Sequence, residues 1–278
     1  MAWQALTGDR VEVADSPAES RRFGVSVARV TVGSASDPGA DGAGQLREVL
    51  AEAGQDVLVV RYPADRLALA AVVAGCGRDV LPAGSLTYWG APSSEVLRPE
   101  PDRWRIRSAA ALDDGADHRV DHGADHRVED VVDDVVAASF EGYGNHYLAN
   151  PLFAPADALA GYQEWARGCV ARQPDDVLLL LEQDRVVGLA TCEESVGQPS
   201  GHLEILLAGL VPAAQGQRGY GHLLAGCADL AGARGLPDTI ISTQTHNVRV
   251  QRAWARAGLR PFGAVETVHC VRRGLLDG

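Results

Sequence analysis

Residues 201–235 read GHLEILLAGLVPAAQGQRGYGHLLAGCADLAGARG. The apolar stretch from Leu203 to Val211 predicts a strand, which ends at Pro212 because proline has no N–H to donate to a neighbouring strand. A turn with glycines at positions 216, 219 and 221 follows, and such glycines allow main-chain N–H groups to crowd around an anion. Apolar residues at helical spacing then run to Gly235, so the turn lies at a helix N-terminus, where a phosphate is favoured.

A second motif follows a short predicted strand at 239–242. Residues 243–259 read TQTHNVRVQRAWARAGL, with Asn, Trp, Gly and Leu at relative positions 0, 7, 11 and 12. In this order the two motifs resemble the GNAT superfamily of acyl-CoA-dependent N-acyltransferases, whose pyrophosphate loop reads (R/Q)xxGxG and whose next helix commonly reads NxxAxxLYxxxGF. A nicotinamide-dependent Rossmann enzyme is excluded, because the glycine turn lies late in the chain and no acidic residue ends the strand at 239–242 to bind a ribose.

The loop departs from the family pattern in one of two ways. If Gln215 takes the leading position, Arg218 stands where the first glycine of GxG is expected; alternatively Gly219 and Gly221 form that pair and the loop is one residue longer. In either register we expect the main-chain cradle to hold the pyrophosphate of acetyl-CoA, with Arg218 adding charge. The resemblance implies these acetyl-CoA-binding residues: Leu210, Val211, Gln215, Gly216, Gln217, Arg218, Gly219, Tyr220, Gly221, Asn247 and Trp254.

The family's catalytic pattern is only partly present. In the superfamily a splayed strand offers a main-chain N–H to the acyl carbonyl, which implies Leu210 or Val211 here. Trp254 stands where many members have a tyrosine that protonates the departing thiolate, and an indole N–H is not an acid of useful pKa. Another residue or solvent must therefore supply the proton, and Trp254 is expected to pack beside the pantetheine arm.

Several residues are candidates for the remaining chemistry. Family members often place a glutamate on the strand before the loop, so Glu204 is the first candidate for the base, with an exposed strand position as the alternative. His269, on the final strand, is the second candidate. Residues 140–151, FEGYGNHYLANP, join two helices in a region that covers the acceptor in the superfamily. Tyr147 is the candidate acid there, unless it only packs the loop; His146, Asn150 and His202 are the candidate acceptor-binding residues.

Composition limits the class of protein. The chain has 278 residues, of which 46% are apolar and 22% charged, enough for one large or two small domains. A net charge of −12 argues against nucleic acid and anionic membranes as partners, since both need a basic surface. Five scattered cysteines and the lack of a signal peptide predict a reducing cytoplasm. We expect a cytoplasmic monomer or homodimer that acts on a small-molecule amine.

The sequence predicts two units. LRPEPDRWR, at 97–105, separates residues 1–100 from residues 104–278. The second unit has the element order of a GNAT catalytic domain. The first is a smaller βαβαβ unit without a phosphate loop, and around RRFGVSVARV (21–30) it resembles the amino-terminal half-domain of the TDP-fucosamine N-acetyltransferase-like branch. The expected fold class is α/β (α+β), a mixed central sheet flanked by helices.

A direct repeat lies between the two units. GADHRV at 115–120 recurs at 123–128, which spaces His118, His122 and His126 four residues apart. A metal site would need these histidines on one helical face, but two glycines and the polar composition oppose a helix. A slipped duplication in a solvent loop explains the repeat better, and we expect no metal.

The resemblance implies an N-acetyltransferase that moves an acetyl group from acetyl-CoA to the primary amine of a small molecule, such as an amino sugar or a biosynthetic intermediate. The alternative is a degenerate GNAT-like domain that binds acyl-CoA or a partner without ordinary amine acetylation. Tight CoA binding without acetylation would distinguish the second from the first.

Overall fold

A computed structural model of the protein describes residues 10–33, 40–100, 102–113, 127–195 and 201–277. Ten strands form one sheet: β1 Val11–Asp15, β2 Val27–Val32, β3 Val57–Pro63, β4 Asp79–Pro92, β5 Trp104–Ser108, β6 Val177–Glu182, β7 Arg185–Ser195, β8 His202–Leu210, β9 Asp238–Gln244 and β10 Arg260–Val271. The described α-helices are α1 Pro17–Phe23, α2 Ala40–Glu52, α3 Leu67–Ala74, α4 Ala109–Asp113, α5 Val128–Phe140, α6 Pro155–Arg172, α7 Gly219–Ala233 and α8 Val248–Arg256. This mixed sheet with flanking helices confirms the predicted fold class.

The strand order is β1-β2-β3-β10-β4-β9-β8-β7-β6-β5. Strands β5 to β8 are antiparallel neighbours, whereas β8 and β9 run parallel and pair only where 202–205 face 238–241. A bulge at Leu206 follows, because Cys192 pairs with Ile205 and the next residue, Thr191, pairs with Leu207. Beyond the bulge β8 and β9 have no further pairing, which leaves an opening inside the sheet.

The two halves of the chain exchange their last strands. Both halves have the order strand, helix, strand, helix, strand, as β2-α2-β3-α3-β4 and β8-α7-β9-α8-β10, and the first two strands of each are parallel. Strand β4 pairs with β9 of the other half, and β10 pairs with β3. The two exchanged strands pair with each other at the centre of the sheet. Residues from both halves therefore meet on the same sheet faces.

Helices cover both faces of the sheet. On one face α7 buries small and apolar residues against β6 to β9: Leu223, Leu224, Cys227, Ala228 and Ala231. On the other face α5 buries Val128, Val132, Val135 and Val136, whose spacing of three to four residues puts them on one helical side, against α6 and the strands. The opening between β8 and β9 is thus reached from both faces.

The strands predicted at 203–211 and 239–242 are present with shifted ends, as β8 and β9, and the helix predicted after the glycine turn is α7. Strand β1 and helix α1 were not expected, because their 5 and 7 residues are too short for a clear period. The GADHRV repeat at 115–128 lies mostly outside the described residues. In the described part of the chain, no helix is long and apolar enough to cross a membrane.

Candidate active site

A cavity of about 1340 Å³ occupies the opening between β8 and β9. It extends from the loop before α7 to α1 and to the segment that follows α5. This volume exceeds that of a site for one drug-sized ligand, about 300 to 1,000 Å³, so two substrates can share the cavity. We call the part near α7 the loop end and the part near α1 the α1 end.

The loop end is built around the N-terminus of α7. Helix α7 begins at Gly219, so its first N–H groups have no partner within the helix. The preceding loop turns sharply, with positive φ at Gly216 (79°) and at Arg218 (69°). Both of these residues line the cavity. Unpaired N–H groups, a helix dipole and a guanidinium form a donor set that fits the pyrophosphate of CoA.

The glycines of the loop have different roles. A Cβ at Gly219 would lie 3.0 Å from Leu180 and 3.2 Å from Trp104, so Gly219 packs against the core and does not line the cavity. A Cβ at Gly221, which does line the cavity, would lie 3.2 Å from Pro99. The expected contact of Gly219 with pyrophosphate is through its main-chain N–H, so the packing of its Cβ position leaves that contact a prediction. Its side-chain position points into the protein.

Other loop residues divide in the same way. Gln215 lines the cavity and donates from Nε2 to the carbonyl of Leu210 at 2.9 Å. Gln217 is exposed, receives a hydrogen bond from Arg103 and donates to the carbonyl of Ala213 at 2.6 Å. Gln217 thus fixes the outside of the loop and lies away from the cavity.

The main chain of β8 distinguishes Leu210 from Val211. The N–H of Val211 donates to the carbonyl of Val187 on β7 at 2.9 Å, so it is not available to an acyl group. Alternate residues of a strand point to opposite neighbours, which directs the N–H and C=O of Leu210 toward the opening. The hydrogen bond from Gln215 to the carbonyl of Leu210 agrees with this direction. Of the two predicted donors, only Leu210 remains.

Tyr220, which was predicted only as a loop residue that binds acetyl-CoA, lies beside Trp254. The indole Nε1 of Trp254 donates to the hydroxyl of Tyr220 at 3.3 Å, and both residues line the cavity. Trp254 is 1% exposed and also contacts Trp89 edge to face. Burial raises the pKa of Tyr220 well above its usual range. Tyr220 therefore keeps its proton at neutral pH.

Glu204 lies on the floor of the cavity. It is 2% exposed and pairs in register with Ile240 on β9, just before β8 and β9 separate. A carboxylate at this position is within the cavity and below the opening. This placement suits a base that acts on an amine bound at the α1 side of the opening.

The two histidines of the prediction form a buried pair. Nδ1 of His146 and Nε2 of His269 are 3.0 Å apart, so one ring donates and the other accepts. Burial and the nearby Arg61 charge lower the pKa of His269 to about 4, and the same causes lower the pKa of His146 well below its usual value. Both rings are neutral at pH 7. Only His146 lines the cavity; His269 is 0% exposed and lies behind it.

Tyr147 lies at the α1 end. Its hydroxyl donates to Glu19, which also accepts from Nε and Nη2 of Arg29 at 3.0 and 2.8 Å. Burial raises the pKa of Glu19, but the hydrogen bonds and charge of Arg29 outweigh it and lower the pKa to about 2. Burial, followed by the charge of Glu19, raises the pKa of Tyr147 to about 12. Tyr147 is thus held by a buried ion pair.

Two predicted acceptor-binding residues lie outside the cavity. His202 begins β8 opposite Ser195 and Asp238, at the end of the strand far from the opening. Asn150 is 1% exposed, and its side chain accepts from the N–H of Leu152 in a turn. The structure thus corrects both predictions, because these side chains belong to a strand end and a turn.

Further cavity residues were missed from the sequence. Arg29 and Arg61 reach the cavity from β2 and β3, and Arg249 and Arg256 reach it from α8. Tyr143 and Asn247 both contact the Thr243 hydroxyl, at 3.2 and 3.1 Å, and connect the segment after α5 to β9. Asn247 was expected from the motif at 243–259, whereas no spacing in the sequence signals the other residues, because the strand exchange brings them together. Among the described residues, no group of three or more His, Cys, Asp or Glu could hold a metal ion.

No family model matches the sequence, and no curated protein matches it. Several solved structures do match the fold of this chain. A GCN5-related N-acetyltransferase from Sphaerobacter thermophilus superposes with a TM-score of 0.53 at 15% identity, covering 95% of this chain and 78% of that one. A tandem GNAT protein from the clavulanic acid biosynthesis pathway gives 0.50 at 12% identity, covering 89% and 77%. The glucosamine N-acetyltransferase region of a fungal multi-domain GH3 β-N-acetylglucosaminidase gives 0.54 at 11%, covering 93% of this chain and 31% of that one. The chain therefore has the fold of the GCN5-related N-acetyltransferases.

Proposed function

We propose that the protein is an acetyl-CoA-dependent N-acetyltransferase for a small primary amine. The observation that carries this proposal is the loop end of the cavity: the N-terminus of α7 and the main chain of Leu210 face one opening between two parallel strands. An anion cradle and a carbonyl-binding N–H at the same opening suit a thioester joined to a pyrophosphate.

The residues have separate tasks in this reaction. Acetyl-CoA supplies the activated acyl group. The N–H of Leu210 donates to the acyl carbonyl and favours the charge that develops on its oxygen. Glu204 accepts a proton from the acceptor ammonium, directly or through water, so that the neutral amine attacks. The Tyr220 hydroxyl, oriented by the N–H of Trp254, donates its proton to the departing sulfur.

Tyr220 replaces Tyr147 as the acid in this proposal. Tyr147 already donates to Glu19 at the α1 end, whereas Tyr220 lies at the loop end beside the position that the family gives to its tyrosine. The protein therefore keeps a phenol near the thioester but supplies it from α7, and Trp254 on α8 takes the positioning role.

The acceptor is proposed to be an amino sugar or a biosynthetic intermediate that bears one. The likeness to a glucosamine N-acetyltransferase region agrees with this choice. The amino-terminal half would act as a non-catalytic half-domain that supplies the α1 end of the cavity, in a cytoplasmic monomer or homodimer.

Titration calorimetry with CoA and with acetyl-CoA tests the proposal, followed by a thiol-release assay on a panel of amines. Gly216 and Gly77 make a matched pair, since each has positive φ and a Cβ added at either would meet no atom within 4 Å. Gly216→Asp should abolish micromolar binding by placing a carboxylate at the cradle, and Gly77→Asp should leave it intact. Absence of binding by the wild type would refute the proposal, and binding without acetylation would favour the degenerate GNAT-like alternative.

A further inference from the structure

Arg61 is a buried cation on the floor of the cavity. It is 8% exposed, lies on β3 between Thr31 of β2 and Thr267 of β10, and lines the cavity. Among the described residues, none accepts a hydrogen bond from its Nε, and no ion pair includes its guanidinium. An arginine keeps its charge in a protein, and a buried unpaired charge is unfavourable. A bound anion would balance this charge.

The neighbouring charged groups do not supply that anion. The carboxylate of Glu19 is already engaged by Arg29 and by the hydroxyl of Tyr147. Arg22, also on the cavity wall, pairs with Glu164. The nearby histidines are neutral and offer no negative charge. The α1 end thus carries one positive charge that no described residue balances.

The strand register shows that Arg61 lies on the same sheet face as Glu204, the proposed base. Arg61 pairs with Thr267 and Tyr88 pairs with Gly263 on the same strand, and positions four apart on a strand share a face. Tyr88 also pairs with Ser242, which is two residues from Ile240, the partner of Glu204. Arg61, Tyr88 and Glu204 therefore lie on one sheet face, with Tyr88 between the cation and the carboxylate.

The electrostatics agree with this order. After burial, the Glu204 carboxylate raises the pKa of Tyr88 and the Arg61 guanidinium lowers it. Both charges are thus close enough to act on one phenol. The cavity floor offers a carboxylate at one side of Tyr88 and a guanidinium at the other.

We infer that the acceptor carries an oxyanion group, a carboxylate or a phosphate, which binds Arg61 while the amine lies at Glu204. The inference rests on the proposed acetyl transfer and narrows its acceptor to an anionic amine. The planar guanidinium binds either oxyanion through two hydrogen bonds, and the ammonium of the same molecule faces the carboxylate. A neutral amine of equal size would leave the Arg61 charge unbalanced.

Matched acceptors test the inference by turnover. 6-Aminohexanoate against 6-aminohexanamide, and glucosamine-6-phosphate against glucosamine, differ only in the anionic group. We expect kcat/KM to favour the anionic member of at least one pair by about 10- to 100-fold, the range of a hydrogen bond to a charged group. The pair that shows the preference identifies carboxylate or phosphate. Equal kcat/KM within both pairs would overturn the inference and leave the acetyltransferase proposal standing.

Variants assign the preference to Arg61. Arg61→Gln should reduce the anionic-to-neutral ratio of kcat/KM to about one, and Arg61→Lys should recover part of it because it keeps the charge but not the planar fork. Arg105→Gln, at an exposed position on β5 outside the cavity, is the control and should leave the ratio unchanged. A ratio that survives Arg61→Gln would overturn the assignment.

A binding measurement separates this inference from the proposed function. Glutarate should raise the melting temperature of the wild type but not of Arg61→Gln, and inorganic phosphate, which can also bind the loop end, should raise it more in the wild type than in Arg61→Gln; this readout needs no turnover. If no amine is acetylated but the melting temperature of the wild type responds more than that of Arg61→Gln, the acetyltransferase proposal fails and the anion site stands. Equal shifts in the two proteins, or no shift in either, would refute the anion site. If Arg61→Gln does not fold, wild-type stabilisation by glutarate but not by glutaramide decides the question.

Discussion

The indole N–H of Trp254 donates to the hydroxyl of Tyr220 at 3.3 Å, and the two side chains belong to different helices on the wall of the same cavity. The indole itself has no proton to give at useful pKa, but its N–H fixes the position of a phenol whose O–H can donate one. If Tyr220 is the acid, Tyr220→Phe should lower kcat by about 100-fold, within the usual range for one general acid, while KM for acetyl-CoA changes little. Steady-state thiol release measures both constants.

Tyr62→Phe is the matched control for that substitution. Tyr62 is also buried, but it lies among the apolar residues under α2 and α3, away from the cavity. Its kcat should equal that of the wild type. Trp254→Phe removes the orienting N–H together with part of a buried ring, and its kcat should lie between those of Tyr220→Phe and Tyr62→Phe. An unchanged kcat in Tyr220→Phe would remove Tyr220 from the mechanism.

Arg218 combines strain with charge. Its φ of 69° is unfavourable for a side chain with a Cβ, and its guanidinium lines the loop end of the cavity. Arg218→Gly should therefore raise the free energy of unfolding by about 0.5 to 1 kcal/mol while weakening CoA binding, with a smaller dependence of affinity on salt. Thermal denaturation and calorimetry at two ionic strengths measure the two effects.

Gln183 provides the control, since it is the other non-glycine residue with positive φ among the described residues and lies in the β6–β7 turn, outside the cavity. Gln183→Gly should give a similar gain in stability with no change in CoA affinity. Tighter or equal binding in Arg218→Gly would show that the guanidinium does not contact the phosphates.

The sequence predicted the loop end well because its information is local. A strand, a proline, a glycine turn and an amphipathic helix follow one another in the chain, and Arg218, Gly216 and Trp254 lie on the cavity as expected. Local pattern did not separate Gly216 from Gly219, since both are glycines in one turn. Their difference depends on the contacts of Gly219 with the core across α7.

The α1 end was not predictable in the same way. Glu19 lies on a helix of 7 residues, and Arg61 lies in the middle of an apolar strand, where a single charge gives no periodic signal. Their partners come from the segment after α5 and from β10, more than 100 residues away. The exchange of β4 and β10 between the halves joins these residues, and no pattern within either half indicates it.

Glu204 is proposed as the base, and the loss of activity on replacing it should depend on pH. An amine acceptor is most fully protonated at low pH, where it most needs a base. Glu204→Gln should therefore lower kcat/KM by about 100-fold, with the larger deficit at the acidic end of the profile. A pH series of kcat/KM measures it. Glu194→Gln, at an exposed position of β7 outside the cavity, is the control, and parallel profiles for Glu204→Gln and wild type would remove Glu204 as base.

The pair of His146 and His269 should make stability depend on pH in a defined window. The pKa of His269 is lowered from 6.5 to about 4 in the folded protein, so between these values the unfolded chain binds a proton that the folded protein excludes. The free energy of unfolding should fall by about 3 kcal/mol as the pH decreases from 6.5 to 4, and His146 adds to the fall in the same direction. The pKa of Glu19 is lowered from 4.5 to about 2, so its contribution to the fall begins only near pH 4.5 and continues below this window.

Urea denaturation at several pH values tests this slope. His269→Asn should be less stable than wild type at pH 7, because it disturbs a buried hydrogen bond, yet its stability should change less between pH 6.5 and 4. His246→Asn, at an exposed position outside the cavity, controls for the loss of any imidazole and should keep the wild-type slope. A wild-type slope in His269→Asn would mean that the buried imidazole is not what excludes the proton, and that the acid sensitivity of the fold arises elsewhere.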